Sequence, residues 1–160
     1  MHHLPVTLVR ICLFRDGPQE LPANSSLLIL LVAVAWVVQT LLISQLDEGG
    51  TVGLEVTLAV AFSLLFTWLA LTLRGGTNRF LQTASALFGT NLVLLVPVAP
   101  LLFMAGSNGD GALQTLLLAL WIWSIAIKAH IFRHALDLPI AGGVLVAIGY
   151  TILSLFITGA

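Results

Sequence analysis

The stretch "SLLILLVAVAWVVQTLLISQL", residues 26–46, carries no charged residue. Crossing the hydrocarbon of a bilayer takes roughly 20 mostly apolar residues, since a helix satisfies its backbone internally and hides no charge. This stretch predicts such a helix. Upstream, "PANSS" supplies Asn24, Ser25 or Ser26 as a cap. Downstream, "QLDEGG" is a polar turn.

Working outward, four more runs have the same character, at about 53–73, 82–104, 112–132 and 138–158. The second ends in "LRGGTNR". The third contains Pro97 and Pro100, which predict a kink or early break. "GSNGDG" reads as a loop before the fourth. Pro139 suits the first turn of the fifth.

The whole chain agrees. Apolar residues make up 59% of its 160 residues and charged ones 8%, against about 25% charged in a soluble domain. Lipid is therefore the expected solvent for most of the surface. A net charge of −1 argues against nucleic acid, which needs a basic face. Cys12 alone cannot build a disulfide framework. No signal peptide is expected, because Arg10 and Arg15 follow the first apolar run and no small-residue cleavage site comes after them. The expectation is one all-α membrane domain over residues 1–160.

Before the first span, "LPVTLVRICLF" at residues 4–14 is too short to cross. Leu4, Leu8, Ile11 and Cys12 form one helical stripe, widened by Val6, Val9, Leu13 and Phe14. It reads as an amphipathic helix at about 4–15 lying in the interface, with Arg10 and Arg15 at the headgroups. The alternative is a helix packed under the bundle.

Charge then sets the topology. With five spans, Arg10, Arg15, Arg74, Arg79, Lys128 and Arg133 all fall on one side. The other side has Asp47, Glu48, Glu55 and Asp110 and no Lys or Arg. The positive-inside rule puts the N-terminus in the cytoplasm and the C-terminus outside.

The densest polar run is "IAIKAHIFRHALDLP", residues 125–139. His130, His134 and Asp137 lie within roughly 60° on one helix face, a possible metal-ligand set. The general-base glutamate of zinc-protease helices is absent, because position 131 is Ile. The plainer reading is interfacial. Lys128 snorkels to the cytoplasmic surface, and His130, Arg133 and His134 sit at headgroup level, where they also complement the helix C-terminus. No metal or other cofactor is expected. Arg74 and Arg79 around "GGTN" lack the GxxxxGK spacing of a phosphate loop and point to anionic lipid headgroups.

Within the membrane, Asn91 stands near the middle of the third span and Glu55 near the outer end of the second. With Gln39 they would line a polar path if they faced one another. Alternatively, Asn91 serves as an interhelical hydrogen-bonding group. Small residues at Gly143, Ala147 and Thr151, and at Ser85 and Gly89, predict close helix packing. No nucleophile motif is present, so no enzyme activity is expected.

Four stretches resemble the Yip1 family of small five-span membrane proteins. "LVRICLFRDGPQELP" is similar to its amphipathic lead-in. "GGTNRFLQTASALFGTNLVLLVP" is similar to its loop entering the third span. "LWIWSIAIKAHIFRHALDLP" resembles its tryptophan-bearing fourth span, and "IAGGVLVAIGYTILSLFITG" its last. The resemblance covers nearly all of the chain and is closest to short prokaryotic forms. It implies a non-enzymatic membrane organiser, integral to a bacterial inner membrane. GTPase docking in eukaryotic members uses a long N-terminal region, and it is not expected from the roughly 25 residues here.

Two functional readings follow. The first is a scaffold or accessory subunit whose cytoplasmic face (Arg10, Arg15, Arg74, Arg79, Lys128, His130, Arg133, His134) meets lipid headgroups and a membrane-protein partner or second copy. The second is a small permease or channel subunit with a polar path near Asn91. Five spans cannot form two equal inverted repeats within one chain, which counts against the second. A metal-dependent enzyme using His130, His134 and Asp137 is the third and weakest.

Overall fold

The computed structural model describes residues 3–45, 51–107 and 111–158. Asp47, Glu48 and Asp110, which the topology argument placed on the outer side, lie outside these residues. Among the described residues the chain is helical, without strands.

Five helices are long and apolar enough to cross a membrane: α2 (Ser25–Ser44), α3 (Val52–Leu73), α4 (Phe80–Ser107), α5 (Gly111–Ala135) and α6 (Ile140–Thr158). A shorter helix, α1 (Leu4–Cys12), precedes them and leads into a single 3-10 turn at Pro18–Glu20. Each span lies within a few residues of the apolar run that predicted it. Asn24 caps α2 by accepting a hydrogen bond from the Ser26 amide.

Of the kink or early break expected at Pro97 and Pro100, the break does not occur. Helix α4 runs through both prolines to Ser107, about 42 Å at 1.5 Å per residue. A proline removes one donor and crowds the preceding turn, but membrane helices tolerate this where neighbours and local adjustment compensate.

The spans close into a ring. Helix α2 packs on α3 and α4, α3 on α6, α6 on α5, and α5 on α4; α3 also touches α4 across the ring. Between apolar helices in lipid, the association comes from close contact rather than from removal of water. The α5–α6 seam is the closest. Gly143 and Ala147 are buried there, and a Cβ on Gly143 would stand 2.7 Å from the Ala129 carbonyl oxygen.

One end of the bundle gathers the basic residues. The Arg79 guanidinium donates to the Asp137 carboxylate at 2.9 Å, joining the α3–α4 and α5–α6 connections. Gln82 donates to the carbonyls of Gln19 and Leu21, tying the lead-in to α4. Three helices stop at this end with the same hydrogen-bond pattern. An amide past the end returns to a carbonyl in the last turn, from Arg15 to Arg10, Gly76 to Leu71 and Leu138 to Arg133. The left-handed residue this requires is Phe14 (φ 59), Gly75 (φ 69) and Asp137 (φ 49), respectively. Glycine adopts it freely and aspartate tolerates it, whereas Phe14 is strained by about 1–2 kcal/mol.

Helix α1 leans its apolar stripe on protein. Leu8, Ile11 and Cys12 are buried, and the Leu8 methyls sit where a Cβ on Gly89 would be. The Cys12 thiol points at the Thr90 carbonyl, 4.0 Å away. Val6, Val9, Leu13 and Phe14 remain exposed. The stripe therefore divides: its centre packs against α4 and α5, and its flanks face outward.

Candidate functional site

All five spans contribute to a cavity of about 310 Å³ inside the ring. Its polar wall is Gln39 from α2, Ser63 from α3, Asn91 from α4, Ser124 and Lys128 from α5, and Tyr150, Thr151 and Ser154 from α6. Counted along each helix from the basic end, the lining stands from about 10 Å at Leu87 and Lys128 to about 22 Å at Leu155, against about 30 Å for the hydrocarbon of a bilayer. A volume near 300 Å³ is within the range of small-molecule sites and would hold about ten waters.

Lys128 is the unusual member. It was expected to snorkel toward the basic end. Instead it forms part of the cavity wall, and its ammonium donates to the Ser124 hydroxyl at 3.3 Å, one turn further into the membrane. The described carboxylates are engaged or distant. Asp16 pairs with Arg10 at 2.9 Å, Asp137 pairs with Arg79, and Glu20 lies in the turn before α2. Glu55 accepts a hydrogen bond from Thr51 in the first turn of α3. Lys128 thus has no ion-pair partner among the described residues.

Of the three residues expected to share a polar path, Gln39 and Asn91 do line the cavity, whereas Glu55 is outside it. Sequence reasoning missed Ser63, Ser124, Tyr150 and Ser154. A signal existed: Ser124 and Lys128 are four apart, as are Tyr150 and Ser154, and that spacing stacks side chains on one helix face.

Beside the cavity and toward the basic end, rings from three helices pack together around Tyr150. Tyr150 lies 5.3 Å from Phe66, 5.4 Å from Phe62 and 5.8 Å from Phe132, centroid to centroid. These edge and tilted contacts hold the phenol side of the wall in place.

A second space adjoins the first. A groove of about 510 Å³ between the halves of α4 and α5 away from the basic end is lined by leucines and Val98, and it shares Asn91, Trp121 and Ser124 with the cavity.

The histidine cluster has a different role. The His130 ring donates through Nε2 to the Asp16 carbonyl at 2.9 Å, and Phe14 packs on its edge. The His134 ring donates through Nδ1 to the His130 carbonyl at 2.9 Å. The two rings are 4.3 Å apart, but Asp137 is turned to Arg79. The proposed ligand set of His130, His134 and Asp137 is therefore not assembled. Among the described residues no group of three or more His, Cys, Asp or Glu is placed to hold a metal. His130 instead fastens the lead-in to α5.

Arg15, Arg74 and Arg133 are exposed at the basic end, while Arg10 and Arg79 are held in ion pairs. Burial pushes the Cys12 thiol up to about 11. No family model, no curated protein and no solved structure matches the chain.

Proposed function

We propose that the protein is a small permease- or channel-type membrane protein that admits a small polar solute to a site at the middle of the bilayer. The observation that carries this is the central cavity, with Gln39, Asn91 and Lys128 in one wall system drawn from five spans. Ionisable groups within a span are costly, and one facing a cavity is a functional-site hypothesis by default. Known transporter sites also sit near the midplane, where helices meet. All the lining comes from one chain. The reading assigns no catalytic residue. The basic end faces the cytoplasm by the positive-inside rule, and the resemblance to short prokaryotic forms points to a bacterial inner membrane.

Cysteine accessibility tests this. In a Cys12→Ala protein, Ser63→Cys and Asn91→Cys are exposed to a charged, membrane-impermeant thiol reagent in right-side-out and inverted vesicles. Both should react from at least one side, while Leu69→Cys, exposed on the outer surface of α3, should not. Silence at both cavity positions would remove the reading.

A scaffold or accessory role, as in the Yip1 resemblance, draws separate support from exposed Arg15, Arg74 and Arg133 at one end. These would meet anionic headgroups or a membrane-protein partner. Crosslinking in native membranes should then yield a partner or dimer that Arg74→Ala with Arg133→Ala abolishes. An unchanged monomer would count against it.

A further inference from the structure

We infer that the solute is an anionic single-chain amphiphile, with its head on Lys128 and its alkyl chain in the groove between α4 and α5. This rests on the polar-site reading above and names the ligand class. Two features of the site have to be satisfied together. Lys128 brings three donors and a point charge, and Ser124 takes one of those donors. No described carboxylate balances it, and the polar neighbours that solvate it bring no negative charge, so a counter-charge would stabilise its charged form. A ligand bearing one negative charge would supply it, with the Asn91 amide left to donate to the remaining head oxygen, since the Ser124 hydroxyl already donates to the Trp121 carbonyl.

The groove defines the rest of the molecule. It starts at Asn91, Trp121 and Ser124, the residues it shares with the cavity, and continues past Leu95 and Val98 to Leu102. From Asn91 to Leu102 is about 16 Å of helix, walled almost wholly by aliphatic side chains. A small hydrophilic anion would leave this space to lipid. An uncharged lipid tail would leave Lys128 unbalanced. An amphiphile of one head and one chain meets both demands and can enter from the bilayer.

The full chain in nanodiscs of uncharged lipid is titrated with radiolabelled palmitate, hexadecanol and acetate. Palmitate should bind saturably and at least tenfold more tightly than either comparator. Lys128→Met should lose that advantage, Lys128→Arg should keep most of it, and Leu95→Trp, which fills the groove, should weaken palmitate alone. Thermal melts confirm that each variant is folded. If hexadecanol matches palmitate and Lys128→Met changes nothing, the groove merely holds bulk lipid and the inference falls. If acetate matches palmitate, with sensitivity to Lys128→Met but not to Leu95→Trp, the amphiphile falls while the polar-solute site stands. If nothing binds saturably, the inference falls, and the cysteine labelling decides separately whether the cavity is hydrated.

Discussion

Gly143 is where two helices come closest, and Gly143→Ala should separate them. The added Cβ would lie 2.7 Å from the Ala129 carbonyl oxygen, 2.8 Å from Arg133 Cβ and 3.2 Å from Arg133 Cα. Backbone and Cβ atoms cannot swing aside as a side-chain tip can. The α5–α6 seam must open by several tenths of an ångström, and overpacking of this kind costs about 1–3 kcal/mol. Against this, alanine in place of glycine favours a helix by at most about 1 kcal/mol. The net expectation is a loss of about 1–2 kcal/mol. Gly149 on the same helix is the internal control, since nothing lies within 4 Å of a Cβ built there. Gly149→Ala should therefore be neutral or stabilising by up to about 1 kcal/mol. Reversible unfolding in mixed micelles, followed by far-ultraviolet circular dichroism, measures both. Equal stability of the two variants, or a more stable Gly143→Ala, would refute the close-packed seam.

Three further outcomes follow from other contacts. Cys12 should resist maleimide at pH 8, and Gly89→Leu, which displaces Leu8, should expose it without melting the spans. Because the folded thiol titrates at about 11, above the ordinary 9.0, its protonated form favours folding. That contribution is complete below pH 9 and is lost as the pH climbs toward 11, so wild type should lose stability there faster than Cys12→Ala. Lys128→Met should stabilise the apo bundle by about 1–2 kcal/mol, less than the roughly 3 kcal/mol for a lysine at a helix centre in lipid, because polar neighbours already solvate it; a destabilised variant would show that Lys128 holds the fold. Asp137→Gly should change stability by no more than about 0.5 kcal/mol, since its ion pair is exposed and glycine suits the left-handed position, whereas Asp137→Val should cost about 1–2 kcal/mol. Equal melts for these two variants would contradict the helix stop.

The spans were legible because the signal for a membrane helix is additive. Roughly 20 apolar residues in a row leave no competing structure in lipid. An early break at the prolines was weighed because their cost in water is high, but a helix held among neighbours in lipid can continue through them. For α1 the stripe of Leu8, Ile11 and Cys12 was readable, but its partner was not. Lipid and the face of α4 are both apolar, and hydropathy does not tell them apart. What decided the matter was Gly89, whose missing side chain admits Leu8. That glycine was visible in the sequence as a packing residue, with nothing to say which helix would fill the space.

The polar run at residues 125–139 shows why the site itself was harder. Its residues are close in sequence, and they were assigned to one surface patch at one depth. A helix advances about 100° per residue, so Lys128 stands about 160° from His130 and 120° from His134, and Asp137 lies past the helix end. The run therefore has two faces. The histidine face meets the lead-in, where His130 donates to the Asp16 carbonyl and Phe14 packs on its ring. The opposite face belongs to the ring interior. There Trp121, Ser124 and Lys128 lie within about 60° of one another and reach the cavity together. Nearness to a helix end suggested that Lys128 would snorkel outward, which holds for a lysine facing lipid. A lysine facing a polar interior already has solvation beside it and has no reason to stretch away. Rotational phase, more than distance from the helix end, separates an anchor from a binding group on a membrane helix.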